Sequence, residues 1–499
     1  MNRAIASQFI VVVAVSILSG CTLPGPNRAT GEDLQATTVG WKKKFDGSGS
    51  SPVIADGVLY LGSADGAVYA LDSKTGETKW RFQTGENLSP TTSRPNVITT
   101  PRGSSMADQM TAGMKAAEKQ WGEGIRRVDM TPAVANGTVY VGSGDRSFYA
   151  IDAATGKKKW SYVAGPGMVS SNYTGYPVPT AVLKNGIVYF VTEDGLHALD
   201  AITGKRKWLF ETLQEISVKK MNMGRKRTPS EPVMGDGVIF LTAWPFALLN
   251  DASRKGFLYA VDPESGKAKW VTSVDGTFIS APTTAKGLVF FTVKEEPQDN
   301  PSPLNRVKLY AINAADGQVK WKFDVESWHG TSQLLIAAGT IYFSNNKSLL
   351  ALEMEAGRQS WSFSADRINA GLWADDQHLY MVTRKGSMGR PKDTLHALAL
   401  STGQEKWSRG LSGNVHIAMV HDGVVYTDGH ARNYAGIDAT DAATGKELWS
   451  FKGIAMETAR LISGGRIYLT SPTLTYFGIS RVDQGYLYAM DAKTGKLKP

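Results

Sequence analysis

The sequence predicts an all-β protein, a single β-propeller built from four-stranded antiparallel blades. One short pattern recurs along the chain: an alternating strand, a tight turn containing glycine, and a second strand that carries a tryptophan. A two-residue turn such as Asp56-Gly57 or Asn136-Gly137 precedes most copies, and Asp-Gly and Asn-Gly are strong hairpin signals. Four strands repeated at a spacing of about 40 residues are typical of a propeller blade.

The copy from Tyr69 to Trp80 shows why the pattern folds locally. Tyr69 and Leu71 alternate with small or polar residues, as expected for a half-buried strand. Asp72 offers a side-chain acceptor to the turn, and Gly76 accepts a positive φ without a Cβ clash. Nine copies begin at Tyr69, Tyr149, His197, Tyr259, Tyr310, Leu350, His396, Asp438 and Tyr488.

The two ends of the chain complement each other. The last copy has no tryptophan strand after it, whereas Trp41-Lys-Lys-Lys-Phe45 is a tryptophan strand with no motif before it. We predict that this strand pairs beside the strand of Tyr488 and closes the ring. Closure removes two exposed sheet edges, which otherwise favour aggregation.

Bulk composition agrees with a globular β protein. The chain has 499 residues, of which 42% are hydrophobic and 20% charged, with 52 glycines and 13 tryptophans. The helical patterns that a two-domain α/β enzyme needs between its strands are absent. The formal charge of +9 favours anionic neighbours, but we do not predict nucleic acid as a partner.

The N-terminus is interpreted as a lipoprotein signal peptide over residues 1–20. Arg3 is followed by an apolar run from Phe9 to Leu18, and Leu18-Ser-Gly-Cys21 ends it, so Cys21 is the predicted site of lipid attachment. An ordinary signal peptide or a buried core segment is the alternative. Residues 21–39 are predicted to be a flexible tether and residues 40–499 the propeller. By resemblance to enterobacterial sorting rules, Thr22 after the cysteine implies an outer-membrane lipoprotein that faces the periplasm.

Nearly every long insertion falls in one of two loop classes. Turns between first and second strands, and between third and fourth strands, stay short, and in a propeller they share one face. Blade-to-blade links and loops between second and third strands share the other face, which we call the decorated face. Its insertions are residues 86–130, 211–230, 243–256, 294–306, 384–393, 428–437 and 471–484.

The decorated face is the candidate binding face, because function is commonly carried by loops on a rigid scaffold. Its loops are basic, which favours an anionic ligand or an acidic partner surface, although solvated loop charge is the alternative. Aromatic residues nearby offer contact area. The candidate residues are Arg126, Arg127, Arg225, Lys226, Arg227, Trp244, Arg254, Lys255, Arg384, Arg390, Arg432, Tyr434 and Arg481.

One helical insertion is predicted within residues 86–130. Met106, Met110, Met114 and Trp121 recur at helical spacing between residues 105 and 121. This face is expected to pack on the propeller, and a Met-rich partner surface is the alternative.

The repeat Ala-x-Asp-x-x-Thr-Gly-x-x-x-Trp resembles the tryptophan-docking motif of the pyrroloquinoline-quinone-type (quinoprotein-like) β-propellers, over residues 41 to 499. That resemblance implies eight blades, whereas the sequence counts nine units, so a ring of nine and a ring of eight with one unit packed differently both stay open. The weakest unit is the one around Leu350 to Trp361. One branch of the family, the lipid-anchored BamB subunit of the outer-membrane assembly machinery, combines the repeat with an anchor and no redox apparatus.

The dehydrogenase branch implies a quinone cofactor over calcium, an aspartate base and a pair of adjacent cysteines. Cys21 is the only cysteine, so neither that disulfide nor a Cys-x-x-Cys-His haem site can form. His416, His421 and His430 lack metal-ligand spacing, and Glu231, Asp251 and Asp438 show no calcium pattern. No catalytic residue and no metal site is predicted, and no cofactor either, with pyrroloquinoline quinone and calcium kept as the alternative.

The resulting prediction is a lipid-anchored propeller that binds a protein or peptide partner in the cell envelope, in the manner of the BamB branch. It is expected to be a monomer outside its complex and to contact the membrane through its N-terminal lipid. A quinone-dependent oxidoreductase is the alternative function. A carrier of a small anion in the central channel is a third.

Overall fold

The computed structural model describes the blades of the chain. The described residues are 41–45, 49–85, 128, 130–164, 180–192, 194–212, 228–244, 255–276, 278–295, 305–327, 334–345, 347–369, 371–386, 392–412, 415–431, 434–452, 460–471 and 485–496. They form nine antiparallel sheets and contain no helix, so none of them forms a helix that is long and apolar enough to cross a membrane. The predicted helix at 105–121 lies outside the described residues.

The first four blades follow the chain in order. Blade 1 is β2–β5: Val53–Ala55, Val58–Gly62, Ala67–Asp72 and Thr78–Gln83. Blade 2 is β6–β9: Ala133–Ala135, Thr138–Gly142, Ser147–Asp152 and Lys158–Val163. Blade 3 is β10–β13: Val182–Lys184, Ile187–Thr192, Gly195–Asp200 and Arg206–Phe210. Blade 4 is β14–β18: Thr228–Pro229, Val233–Gly235, Val238–Trp244, Lys255–Val261 and Ala268–Asp275.

The next four blades repeat this arrangement. Blade 5 is β19–β23: Phe278–Ile279, Thr283–Ala285, Leu288–Glu295, Asn305–Asn313 and Val319–Ser327. Blade 6 is β24–β27: Leu335–Ala337, Thr340–Ser344, Ser348–Glu353 and Gln359–Ser364. Blade 7 is β28–β31: Trp373–Ala374, His378–Lys385, Lys392–Ala399 and Glu405–Ser412. Blade 8 is β32–β35: Val415–His421, Val424–Ala431, Tyr434–Asp441 and Glu447–Lys452.

The first strands lie innermost, because first strands of neighbouring blades contact one another in the pairs β2–β6, β6–β10, β15–β20, β28–β32 and β32–β36. In blades 4 and 5 the first strand is divided into two short segments that both pair with the second strand. The tryptophan strands are therefore outermost. Side chains of each sheet pack against the next blade, so the core consists of the layers between blades.

Blade 9 contains both ends of the fold. Its strands are β36–β38 (Arg460–Ser463, Arg466–Ser471 and Gly485–Asp491) and, as its outermost strand, β1 (Trp41–Phe45). Trp41 pairs with Ala489 and Lys42 with Tyr488 in antiparallel register. Ring closure by the N-terminal strand is confirmed, and the ring has nine blades.

Each outer tryptophan joins its blade to the following one. Trp80 Nε1 donates to the carbonyl of Ala153 at 2.9 Å, and its ring covers Gly156 in the turn of blade 2. The same kind of hydrogen bond is present at all nine interfaces. The other eight donors are Trp41, Trp160, Trp208, Trp270, Trp321, Trp361, Trp407 and Trp449. The weak sixth unit is included, since Trp321 donates to Met354 and covers Gly357.

This docking makes a prediction about two glycines of blade 2. Gly156 has a φ of 70°, and an added Cβ would lie 2.7 Å from the Trp80 ring, whereas Gly137 has a φ of 64° and open space around it. Both alanine substitutions carry the left-handed backbone cost of about 1–2 kcal/mol. Gly156→Ala must also displace the ring, so we expect it to lower the free energy of unfolding by about 1–3 kcal/mol more than Gly137→Ala.

Chemical denaturation followed by tryptophan fluorescence measures both variants. Equal losses for Gly156→Ala and the control Gly137→Ala would show that tryptophan docking on the glycine does not stabilise the interface.

Candidate functional site

The two short turn classes lie on one face, as the sequence predicts. The backbone N–H of Ser73, in the turn between third and fourth strands, donates to the carbonyl of Gly57, in the turn between first and second strands. The same bond is made by Ala153, Ala201, Ala314, Met354, Leu400, Ala442 and Ala492. Because the strands are antiparallel, the other two connection classes leave from the opposite face, the decorated face.

The strands on either side of three predicted insertions of the decorated face extend into them. In blade 8, Ala431 pairs with Tyr434, so the segment 428–437 forms the end of a β-hairpin rather than a long loop. In blade 7, Lys385 pairs with Lys392. The second and third strands of blade 5 likewise pair as far as Glu295 and Arg306.

The structure describes four of the candidate residues of the decorated face. Trp244 ends the second strand of blade 4, and Lys255 begins the third and is exposed. Tyr434 begins the third strand of blade 8, and Arg384 lies near the end of the second strand of blade 7. Outside the described residues lie Cys21, Arg126, Arg127, Arg225, Lys226, Arg227, Arg254, Arg390, Arg432 and Arg481.

Arg384 is held by a buried carboxylate. Its Nε and a terminal guanidinium nitrogen donate to the two oxygens of Asp393 at 2.8 and 2.9 Å. The Asp393 side chain is fully buried, and it also accepts the backbone N–H of Val415 in blade 8 at 2.7 Å. Asn369 completes the network by donating to the Val415 carbonyl at 3.0 Å. The pair therefore fixes the blade 7 hairpin to the innermost strand of blade 8.

Sequence reasoning missed Asp393, although a signal was present. Asp393, Leu395 and Ala397 alternate with Thr394 and His396 along one strand, and Leu395 and Ala397 are buried. A period of two places Asp393 on the same inward face as these apolar residues. A carboxylate at an inward position next to an arginine across the hairpin predicts a buried ion pair.

Glu231 lies beside the propeller axis, in the break between the two segments of the first strand of blade 4. Ser230 organises this break, because its hydroxyl accepts the N–H of Thr242 at 3.0 Å. Burial raises the pKa of Glu231 to about 7, and the backbone N–H of Thr180 in blade 3, which donates to the carboxylate, opposes part of that rise. Glu231 therefore connects blades 3 and 4 and can hold a proton near neutral pH.

Glu231 predicts a pH-dependent stability. Between its usual pKa near 4.5 and about 7 the native carboxyl keeps a proton that the unfolded chain releases, so wild-type stability falls as pH rises through this window. Gln at this position cannot ionise. We expect the stability advantage of Glu231→Gln to grow from near zero at acid pH to roughly 2 kcal/mol above pH 7, a value reduced for the partial exposure of the side chain.

Urea unfolding across this pH range tests the prediction. Glu264→Gln, which removes a carboxylate from an exposed turn of blade 4, is the matched control. A difference between wild type and Glu231→Gln that does not change with pH would contradict the buried-carboxyl assignment.

The interface of blades 7 and 8 lacks the aromatic packing found at most of the other interfaces. At most interfaces an aromatic ring of the outer strand meets the first residue of the next motif, as in Phe45 against Tyr69 at 4.9 Å. At the interface of blades 7 and 8 these two positions are Arg409 and Asp438. Asp438 is 8% exposed, and its Oδ1 and the adjacent Thr427 hydroxyl have no hydrogen-bond partner among the described residues. A water molecule would satisfy both oxygens.

The described residues do not fit a calcium-supported quinone. No three carboxylate, histidine or cysteine side chains among them converge as metal ligands. His416 lies opposite Asp428 in the sheet, and exposed His421 pairs with Asp422, so neither belongs to a ligand set in the described part of the chain. We derive no redox step from this geometry.

Comparison with known families agrees with the repeat and the fold. A family model described as outer membrane protein assembly factor BamB matches residues 27–119, 304–381 and 346–498, together more than half of the chain. The chain belongs to this family of PQQ-type propellers. A second model, described as the β-propeller domain of glucose/ethanol/alcohol dehydrogenase, matches residues 105–286.

Individual relatives are distant. The chain is 25% identical to BamB of Yersinia pestis over 250 residues, which is 46% of this chain and 60% of that protein. It is 24% identical to a tetrathionate hydrolase of Acidithiobacillus ferrooxidans over 386 residues, 73% of this chain and 64% of that protein. The chain thus spans less than two thirds of each of these relatives. The crystal structure of BamB from Moraxella catarrhalis aligns with a TM-score of 0.43 at 16% identity, covering 66% of this chain and 80% of that one.

Proposed function

We propose that this protein is a lipid-anchored, periplasm-facing scaffold that binds a protein partner of outer-membrane protein assembly through its decorated face. Membership of the BamB family is the observation that carries the proposal. The candidate lipid attachment at Cys21 agrees with it. The scaffold is suited to such a role. One face of the propeller carries only the two classes of short turns, and the long connections leave from the decorated face.

Partner binding is tested by affinity capture from native envelopes after mild cross-linking. The wild-type protein is expected to recover, at stoichiometric level, a protein of the outer-membrane assembly machinery. Charge reversal of Arg225, Lys226 and Arg227 is expected to lower recovery at least tenfold, because cations facing an acidic partner contribute to its attraction. Reversal of Lys320, Lys322 and Lys406, which are exposed on the outer strands of blades 5 and 7, is the matched control.

Two results would contradict this proposal. One is recovery of no assembly protein by the wild type. The other is an equal loss in the decorated-face variant and the outer-strand control, which would reveal a charge effect without a defined surface.

The anchor is tested separately. Labelled fatty acid is expected to enter the wild-type protein and not Cys21→Ala, and the wild type is expected to fractionate with outer membranes. Recovery of unlabelled wild type from the soluble periplasm would contradict the lipid anchor. The proposed partner binding by the decorated face would be unaffected.

A quinone-dependent oxidoreductase is the second candidate, favoured by the dehydrogenase propeller model that matches residues 105–286. Purified protein titrated with pyrroloquinoline quinone and calcium tests it by absorbance and dye reduction. Saturable binding with turnover would establish the enzyme. The absence of binding at micromolar quinone would remove it.

A further inference from the structure

The outer wall of the propeller is strongly asymmetric in charge. On blades 9, 1, 2 and 3, the outermost strands and the turns before them present exposed cations, which we call the cationic arc. Its members are Lys42, Lys44, Lys74, Lys79, Arg81, Lys157, Lys158, Lys159, Lys205, Arg206, Lys207, Lys493 and Lys496. Among the described residues of these strands and turns, Glu77 is the one exposed acidic residue.

The other side of the ring lacks this excess. The corresponding strands and turns of blades 5, 6 and 7 expose four cations and four carboxylates among their described residues: Lys320, Lys322, Arg358 and Lys406 beside Asp316, Asp324, Glu355 and Glu405. Lys320 pairs there with Glu355. The arc is therefore a feature of one side of the ring and not a general property of the repeat.

Intramolecular pairing neutralises part of the arc only. Lys79 and Lys159 each lie 3.4 Å from the aspartate of their own turn, and Arg81 pairs with Asp65. No ion pair joins Lys157, Lys158, Lys205 or Arg206 to a carboxylate within the described part of the chain. The turn aspartates themselves are occupied, since Asp152 and Asp200 accept the backbone N–H groups of Thr155 and Thr203.

Exposed apolar side chains lie in the same arc. Ile202, in the turn of blade 3 just before Lys205, is 83% exposed, and Val163, at the end of the outer strand of blade 2, is 78% exposed. These are the two most exposed large apolar residues in the described part of the chain. Exposed apolar side chains on a cationic surface are typical of surfaces that bind at the boundary between lipid headgroups and acyl chains, and Ile202 lies in the same turn as Lys205.

The arc also contains the strand nearest to the candidate lipid. Lys42 and Lys44 belong to β1, which begins twenty residues after Cys21. Twenty residues span at most about 70 Å even when fully extended. A lipid on Cys21 would therefore join the propeller at this wall, through β1.

We propose that the cationic arc binds an anionic phospholipid surface and so orients the propeller with its wall of blades 9, 1, 2 and 3 against the membrane. A lipid at the end of a tether does not fix the orientation of the propeller, and a basic surface beside it can do so by binding anionic lipid headgroups. The decorated face then lies at an angle to the bilayer and stays open to a protein partner. This inference rests on the proposed placement at a membrane but not on the decorated face.

Vesicle sedimentation of the unacylated chain from residue 22 onward tests the inference without the lipid. This chain keeps all nine blades, because their strands lie between Trp41 and Asp491. It is expected to bind vesicles of phosphatidylcholine with phosphatidylglycerol and not vesicles of phosphatidylcholine alone, with binding that weakens as salt rises.

Charge reversal of Lys157, Lys158, Lys205 and Arg206 is expected to weaken vesicle binding at least tenfold, since each cation near an anionic membrane contributes about a fivefold factor. Reversal of Lys320, Lys322, Arg358 and Lys406 makes the same change in net charge on the opposite wall and is expected to retain most of the binding. Ile202→Ser is expected to weaken binding without any change in charge. Circular dichroism confirms that each variant is folded.

Three outcomes would overturn the inference. They are no binding of wild type to anionic vesicles, equal loss in the two charge-reversal variants, and capture of the arc by polyglutamate without vesicle binding, which would assign it to an acidic protein. Failure here leaves partner capture at the decorated face untouched, so the two proposals fail separately.

Discussion

Asp393→Ala is expected to lower the free energy of unfolding by about 3–5 kcal/mol, among the largest losses for a single residue of this chain. The Asp393 side chain is fully buried, whereas that of Arg384 is 16% exposed. Removal of the carboxylate deprives the largely buried guanidinium of its two hydrogen bonds to Asp393. It also deprives the backbone N–H of Val415 of its acceptor, so blades 7 and 8 separate beside the axis.

Urea denaturation measures this effect against a matched exposed pair. Glu355→Ala breaks the ion pair with Lys320, whose two side chains are 41% and 60% exposed, and should cost less than about 1 kcal/mol. Arg384→Met with Asp393→Leu replaces both charges and is expected to recover most of the loss, because no buried charge remains. A loss below about 1 kcal/mol for Asp393→Ala would mean that water reaches Arg384 and that the pair is not structural.

Trp41→Ala is expected to cost a similar amount, about 3–5 kcal/mol, and to open the ring at one place. Trp41 is 8% exposed, its ring covers Gly76, and its Nε1 donates to the Ser73 carbonyl of blade 1. That carbonyl also accepts the Tyr468 hydroxyl at 2.9 Å, so the contact between blades 9 and 1 depends on it. Loss of the ring weakens both β1 and the first–last interface.

Hydrogen exchange distinguishes local opening of the ring in Trp41→Ala from a general loss of stability. Trp80→Ala removes an equally buried tryptophan between blades 1 and 2, and it is the matched control. Trp41→Ala should increase exchange in β1 and in β38, whereas Trp80→Ala should increase it in the outer strand of blade 1. Unchanged protection of β38 in Trp41→Ala would show that strand pairing alone holds the ring closed.

The fold and the ring closure could be predicted because each repeat contains the residues that determine its own turn. Each of these turns has a glycine at positive φ and most have an aspartate acceptor, and Gly76 with Asp72 shows both in sequence and in structure. The strand at Trp41 follows no motif, so the motif strand at Tyr488, which has no tryptophan strand after it, was its predicted partner. Nine units were counted in the sequence but a ring of eight stayed open, and the structure shows nine blades, in which even the weak unit at Leu350 keeps Gly357, on which Trp321 packs.

The decorated face was predictable in position but not in detail. Loop length decides which face carries insertions, and this is readable without coordinates. Whether an insertion continues as a strand depends on pairing across the hairpin, as between Ala431 and Tyr434, and that pairing is a non-local property. The partners of individual side chains, such as Asp393 for Arg384, depend on which neighbouring blade each strand faces.

Closure by the two ends has a consequence for synthesis. The strand of Trp41 is made before blades 1 to 8, yet its partner β38 is made after them. Blades 1 to 8 can stack on their neighbours as an open arc before β38 is available. A nascent chain of this shape carries two unpaired edges until β38 has been made, and chaperones that cover strand edges would be most useful to it before then.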